Sequence, residues 1–189
     1  MPPEVLERSE AVGRYLSFLV DALIVGLILA LSRKTSLGAA AIGLHLRDWK
    51  SNAAVGIFAG VLLVITQRIL LNSIPVNPEH PFTCKVRRGP IPLWMLILLA
   101  GAFSEELWIA FCLVTLKSAW HSSALSVLLA CMVFAAAHYS YRFWGALAVA
   151  LKGVISALLF LHYGSLFVTF FFHFIGNLGS LYWNRYWRR

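Results

Sequence analysis

Six long apolar runs, separated by short polar or proline-rich gaps, dominate the pattern of this chain. They span 11–31, 53–71, 92–116, 122–139, 143–162 and 165–183. A bilayer core about 30 Å thick needs about 20 apolar residues per helix, which matches the length of these runs. They are too long and too uniformly apolar for tilted barrel strands of about 10 alternating residues. The pattern therefore predicts an all-α, multi-spanning transmembrane helical bundle of about six helices.

Two gaps set the expected organisation of the chain. The gap at 32–52 is basic, and the gap at 72–91 combines basic residues with prolines, which indicates a true loop. We predict a single transmembrane domain over 1–189. Within it, 90–182 forms the core, and 1–89 contributes two additional N-terminal helices and a basic, proline-rich loop.

The composition supports a lipid environment. Hydrophobic residues make up 60% of the chain and charged residues 13%, and a chain this apolar cannot cover itself with polar surface in water. The net charge of +8 lies mainly in the gaps and at the C-terminus, as expected for loops on the cytoplasmic face. We expect an integral multi-pass protein of the cell (inner) membrane, with cytoplasmic termini, the lipid bilayer as a partner and no nucleic acid.

Two adjacent acids lie deep in the third apolar run. Glu105 and Glu106 are followed by no further Asp or Glu in the rest of the chain. An acidic side chain at the centre of a membrane helix costs on the order of 3 kcal/mol, so the pair is expected to face a polar cavity. Consecutive helical residues diverge by about 100°, so one Glu can enter a site while the other supports it.

A purely structural role for this pair is the alternative. Lys152, Arg68 or Arg142 could neutralise the two carboxylates without any chemistry, since buried ion pairs also occur in proteins.

Two histidines and an asparagine occupy similar apolar settings on later runs. His138 closes the stretch that begins at Phe134, and His173 precedes Asn177 by four residues. The latter spacing places an imidazole and an amide N–H on one helix face, where both can approach one oxygen atom, as in an oxyanion hole. Each residue alone also fits a packing role or an interhelical polar contact. Together with the Glu pair, they favour a shared site.

These residues resemble the motifs of the CAAX protease and bacteriocin-processing family of intramembrane proteases, which includes the Ras-converting CAAX endopeptidase. That family has a Glu-Glu pair followed by an Arg, then Phe-xxx-His, then His-xxx-Asn. The corresponding segments here are 105–110, 134–138 and 173–177, in the same order on successive apolar runs. The resemblance extends over 90–182, which is therefore the expected protease core.

One position departs from the family pattern. The family's Arg position is Ala110 here, four residues after Glu106, where an Arg would neutralise that carboxylate across one helical turn. Lys152, near the middle of the fifth run, is a candidate replacement.

The resemblance implies peptide-bond hydrolysis within or beside the membrane. Glu105 (or Glu106) and His138 would activate water, and His173 and Asn177 would stabilise the tetrahedral oxyanion. The substrate would be a membrane-associated peptide or protein. Relatives cut prenylated C-terminal peptides in eukaryotes, and leader peptides or membrane-anchor segments in bacteria.

No cofactor is favoured by the sequence. Glu, His and His can ligate zinc with water in the fourth position, but here they come from three separate helices without a compact ligand motif. A metal-free glutamate mechanism is the preferred interpretation, and a zinc-dependent one stays open as the alternative.

Two other classes of function compete with an endopeptidase. A small membrane transporter or channel could use Glu105, Glu106 and Lys152 as ion or proton sites, and it would not need His173 and Asn177 to face the same cavity. A noncatalytic scaffold or immunity relative of the family is the second, and Ala110 makes it more credible.

Overall fold

The computed structural model describes residues 3–35, 38–73, 91–138 and 142–186. These ranges contain seven α-helices and no β-strand. The helices are α1 (Pro3–Lys34), α2 (Gly38–Ala41), α3 (Trp49–Ser73), α4 (Ile91–Trp120), α5 (Ser123–Ala137), α6 (Arg142–Tyr163) and α7 (Leu166–Tyr186).

The six long helices coincide with the six predicted apolar runs, which confirms the all-α, multi-spanning fold class. The seventh helix, α2, is a single turn that lies inside the gap predicted at 32–52. Most of the predicted proline-rich loop, at 74–90, lies outside the described residues.

Three helices in the described part of the chain are long and apolar enough to cross a membrane. These segments are Trp49–Ile69, Trp94–Trp120 and Ala146–Tyr163, and two shorter apolar helices are Ser123–Ala137 and Leu166–Gly179. The chain is an integral membrane protein. Six crossings, and the side of the membrane on which each terminus lies, stay predictions.

Helix α4 occupies the centre of the bundle. It contacts α1, α5, α6 and α7, whereas α3 packs chiefly on α7. Its middle is almost entirely enclosed: Leu107, Ile109, Ala110 and Leu113 are buried, together with Ile28 of α1. Polar groups in the middle of α4 therefore face other helices instead of lipid.

The contact between α3 and α7 depends on glycine. A Cβ atom at Gly56 would overlap the backbone carbonyl of Val168, and one at Gly60 would lie 2.9 Å from the carbonyl oxygen of Phe172. Small residues one helical turn apart let two membrane helices approach closely. Helix α3 therefore lies directly against the backbone of α7, and its close packing fixes the position of α7.

Two tight turns bring distant residues to the same depth in the bundle. Helix α4 ends before His121, whose φ of +54° leaves the helical region, and the side chain of Ser122 then caps α5 by accepting from the backbone N–H of Leu125. Glu105 lies 15 residues before Trp120, the end of α4, and His138 lies 15 residues after Ser123, the start of α5. The antiparallel hairpin therefore places these two residues side by side.

The turn between α6 and α7 gives a second matched register. Gly164, with φ +61°, makes the turn, and α7 begins at Leu166. Lys152 lies 11 residues before Tyr163, the end of α6, and Asn177 lies 11 residues after Leu166. These two side chains therefore face each other across the hairpin.

Candidate active site

The two adjacent acids of α4 have different surroundings. The side chain of Glu105 is 33% exposed, whereas that of Glu106 is 1% exposed. The carboxylate of Glu106 accepts a hydrogen bond from the hydroxyl of Ser156 on α6, and its other oxygen lies 2.6 Å from Nδ1 of His173 on α7. Glu106 is therefore enclosed and fully engaged, and Glu105 is the acid that a small molecule can reach.

His138 follows the last residue of α5, and its ring is oriented by its own helix. Nδ1 lies 2.9 Å from the backbone carbonyl oxygen of Phe134, four residues earlier. A carbonyl oxygen only accepts, so Nδ1 donates and the other nitrogen, Nε2, points away from the helix. That nitrogen lies 4.0 Å from Oε1 of Glu105. The Phe-xxx-His spacing thus fixes both the tautomer and the direction of the imidazole.

His173 lies between the two acids. It is buried, its Nδ1 faces Glu106, and its Nε2 lies 3.3 Å from Oε2 of Glu105. The imidazole nitrogens of two helices therefore converge on the two oxygens of one accessible carboxylate.

An aromatic ring holds the two imidazoles. Phe134 is buried, its centroid is 4.7 Å from that of His138, and it meets the ring of His173 edge-on at 6.5 Å. Gly153 of α6 leaves room for this ring, since a Cβ there would lie 3.2 Å from Cδ1 of Phe134. Phe134 therefore contributes packing as well as the carbonyl that orients His138.

Asn177 joins the cluster through Lys152. The ammonium of Lys152 donates to Oδ1 of Asn177 at 2.7 Å, and it lies within electrostatic reach of Glu105 and Glu106. The structure thus brings all five predicted site residues and Lys152 into one cluster built by α4, α5, α6 and α7. Lys152 faces inward, as its suggested role beside the carboxylates requires.

Two side chains at or beside this cluster, Ser156 and Ser104, were not identified from the sequence. Ser156 lies one helical turn after Lys152, so its spacing on α6 was the available signal. Ser104 donates at 2.7 Å to Oδ1 of Asp21, which joins α1 to α4 directly beside Glu105. Serine is common in membrane helices, and no spacing distinguishes Ser104 from other serines of the chain.

The described residues give no indication of a compact metal-binding group. Over residues 3–35, 38–73, 91–138 and 142–186, no three or more His, Cys, Asp or Glu side chains are grouped so that they could hold a metal ion.

The fold is a bundle of membrane helices, and its cluster holds one accessible and one buried carboxylate against two imidazoles. This combination is typical of an intramembrane hydrolase. Residues 87–179 match the family model described as Type II CAAX prenyl endopeptidase Rce1-like. Through this segment the chain is similar to that family of CAAX-type intramembrane proteases, and the match confirms the resemblance drawn from the motifs. No curated protein and no solved structure matches the chain.

Proposed function

We propose that this protein is an intramembrane endopeptidase that hydrolyses peptide bonds of membrane-associated substrates with water activated by Glu105. The observation that carries this proposal is the carboxylate of Glu105, accessible on one side and faced on the other by Nε2 of His138 and Nε2 of His173. A carboxylate beside an imidazole, both within reach of one water molecule, is suited to general acid–base catalysis.

Glu105 and His138 act on the attacking water. Glu105 accepts a proton from water, and the water oxygen forms a bond to the carbonyl carbon of the scissile peptide. When the tetrahedral intermediate collapses, the C–N bond breaks and the proton passes to the leaving nitrogen. His138 assists because its Nδ1 is held by the Phe134 carbonyl, which leaves Nε2 to accept or return a proton.

His173 and Asn177 stabilise the negative oxygen of the intermediate. Nε2 of His173 faces an acceptor oxygen of Glu105 at 3.3 Å, and a hydrogen between them avoids the repulsion of two lone pairs. Glu106, at Nδ1, supports this arrangement either as a carboxylate beside an imidazolium or as an acid that donates to a neutral ring. This Nε2–H can be shared with a substrate oxygen that enters beside Glu105, next to the amide of Asn177 on the same helix face.

The arrangement supports an endopeptidase over a transporter. A transporter needs acids in a polar pathway but has no requirement for an imidazole and a carboxamide one turn apart beside them. Here His173 contacts both acids, and Asn177 is linked to them through Lys152.

The substrate class follows from the family and the membrane location. We propose membrane-associated peptides, cut in CAAX-like processing, in leader-peptide removal or in cleavage of a C-terminal anchor. The protein would be a multi-pass component of the cell (inner) membrane with cytoplasmic termini, in line with the basic residues of its polar gaps.

The test is cleavage of a membrane-anchored peptide library by the purified protein in lipid vesicles, with mass spectrometry of the products. Glu105→Gln should lower the cleavage rate by several orders of magnitude because the amide cannot accept the proton of water. Asp48→Asn is the matched control, since Asp48 is an exposed acid outside the cluster, and it should cleave at the unmodified rate. Equal rates for Glu105→Gln and the unmodified protein would refute the proposal.

A separate measurement decides the role of metal. We expect cleavage to survive exhaustive chelation, because a carboxylate and an imidazole can activate water without a metal ion. Loss of cleavage on chelation, with recovery on addition of zinc, would establish the zinc-dependent alternative.

A further inference from the structure

We infer that Lys152 is a positioning residue, which turns the Asn177 carboxamide so that its N–H group is presented to the reacting carbonyl oxygen. This inference deepens the proposed function and depends on it. It assigns a task to the cationic side chain of α6, a helix that carries none of the five predicted site residues.

The contact between Lys152 and Asn177 fixes the orientation of the amide. A lysine ammonium has three donors and no acceptor, so the amide atom 2.7 Å from it must be the oxygen, Oδ1. The nitrogen, Nδ2, therefore lies on the opposite side of the carboxamide. Without this contact, rotation about the terminal torsion would exchange oxygen and nitrogen, and an acceptor would face the oxyanion.

The route of the Lys152 side chain supports a dedicated contact. Lys152 is half-buried, and a Cβ atom at Gly176 would lie 3.8 Å from its Cε and 4.0 Å from its Nζ. The ammonium thus rests against the α7 backbone beside Asn177. The matched register of the α6–α7 hairpin, 11 residues on either side of the turn, brings the two residues opposite each other.

Charge explains why a lysine suits this position. Lys152 lies within electrostatic reach of both Glu105 and Glu106, which balance its charge in an apolar bundle. Ala110, one turn after Glu106 on α4, is 1% exposed among apolar side chains and supplies no charge. A cation on α6 can therefore attract the two acids and bond to the amide of Asn177 from a single position.

The experiment measures kcat and KM for vesicle-bound cleavage in three variants. Lys152→Met should lower kcat about tenfold to a hundredfold with KM nearly unchanged, because the donor acts only when negative charge develops on the oxygen. Asn177→Asp keeps an acceptor for Lys152 but removes the N–H donor, so it should lose about a hundredfold to a thousandfold in kcat. Lys117→Met, the same change at an exposed position near the end of α4, is the control and should not change kcat.

The combined variant shows whether Lys152 acts through Asn177. In an Asn177→Ala protein, the further change Lys152→Met should lower kcat by a clearly smaller factor than in the unmodified protein, because the amide that Lys152 orients is already gone and only its charge beside the two acids remains. Losses that multiply would overturn the inference and assign Lys152 to the carboxylates alone, and so would full activity of Lys152→Met. If Lys152→Met does not fold, full kcat in Asn177→Asp gives the same refutation.

The unmodified protein separates the two kinds of failure. If it cleaves and the variants behave otherwise than expected, only the inference about Lys152 fails. If it cleaves no membrane-anchored peptide in the same vesicles, the proposed function fails, and the inference fails with it.

Discussion

Glu105 and Glu106 are neighbours in the chain, yet their side chains enter different environments. Glu106 is enclosed by α6 and α7, where Ser156 and His173 occupy its two oxygens. Glu105 is accessible on one side and faces the imidazoles of His138 and His173. The rotation of about 100° between consecutive helical residues produces this division, so the accessible acid can react while the enclosed acid orients His173.

The hydroxyl of Ser156 offers a first prediction at this scale. Ser156→Ala removes the donor that Ser156 offers to the buried Glu106 carboxylate, which should cost about 1–3 kcal/mol of stability. Thermal unfolding in detergent micelles measures this loss. Ser118→Ala, at an exposed serine near the end of α4, should leave the melting temperature unchanged. Equal melting temperatures for the two variants would show that the contact with Glu106 contributes nothing.

The ring of Phe134 provides a second prediction. Phe134→Leu keeps the backbone carbonyl that holds His138 but removes the aromatic contacts with both imidazoles. We expect a lower cleavage rate with membrane insertion intact, because the two rings lose their common support. Met132→Leu, at an exposed apolar position of the same helix, is the control. A Phe134→Leu protein as active as this control would assign Phe134 to packing alone.

The residues of this cluster could be singled out from the sequence because ionisable and strongly polar residues are costly in lipid and therefore rare. Glu105, Glu106, His138, His173 and Asn177 stand out in apolar runs for this reason. Which Glu is accessible could not be predicted, since it depends on the rotation of α4 against its neighbours. The contact of Ser156 with Glu106 was also not predicted, because serine is inexpensive in a membrane helix and only its spacing of one turn from Lys152 pointed to it.

At the scale of helices, two hairpins determine which residues meet. The α4–α5 turn places Glu105, in the middle of its apolar run, and His138, at the end of its run, at equal distances along the chain from His121 and Ser122. The sequence shows the runs and the breaks between them, so the helices themselves were predictable. Which helix lies beside which was not, because apolar faces of membrane helices look alike from composition.

The close packing of α3 on α7 makes a prediction that tests this arrangement. Gly56→Ala places a Cβ atom against the carbonyl of Val168, which belongs to the backbone and cannot move aside, so a loss of about 1–3 kcal/mol is expected. Gly26→Ala on α1 meets open space and should be neutral or slightly stabilising. Thermal unfolding of both variants gives the comparison. A Gly56→Ala protein as stable as Gly26→Ala would contradict the packing of α3 on α7.

The docking of α1 on α4 is tested by amide hydrogen exchange. Ser104→Ala removes the 2.7 Å hydrogen bond to Asp21, and α1 should then show faster amide hydrogen exchange because this polar contact to α4 is lost. Ser32→Ala is the control, since Ser32 is buried and its hydroxyl donates to the carbonyl oxygen of Leu29 within α1 itself. If the two variants exchange equally, the contact between Asp21 and Ser104 does not hold α1 in place.

The whole molecule is a helical membrane protein, and in the described part of the chain four of its helices meet at the cluster of acids, imidazoles and Lys152. Its apolar surface is covered by lipid, which explains why large residues such as Leu23, Phe58 and Leu128 are exposed along the helices. The orientation in the membrane was predicted only from basic gaps, and the prediction leaves the basic gap at 32–52 on the side opposite to the termini, so composition alone gives a weak bias.

Orientation gives the prediction for the whole chain. A fluorescent protein that folds only in the cytoplasm, fused in turn to each terminus, should fluoresce in both fusions if the number of crossings is even and the termini lie inside. Fluorescence from a single fusion would mean an odd number of crossings. Absence of fluorescence from both fusions would mean that both termini lie on the side opposite to the cytoplasm.

The most direct test of the central claim asks whether Glu105 and His138 act together on one water molecule. Residues that act as a unit have strongly non-additive effects, so Glu105→Gln, His138→Ala and the double variant should all fall to a similar residual cleavage rate in lipid vesicles. Three similar low rates, beside an active unmodified protein, are the predicted result. Losses that multiply in the double variant, or a fully active single variant, would contradict a shared catalytic unit.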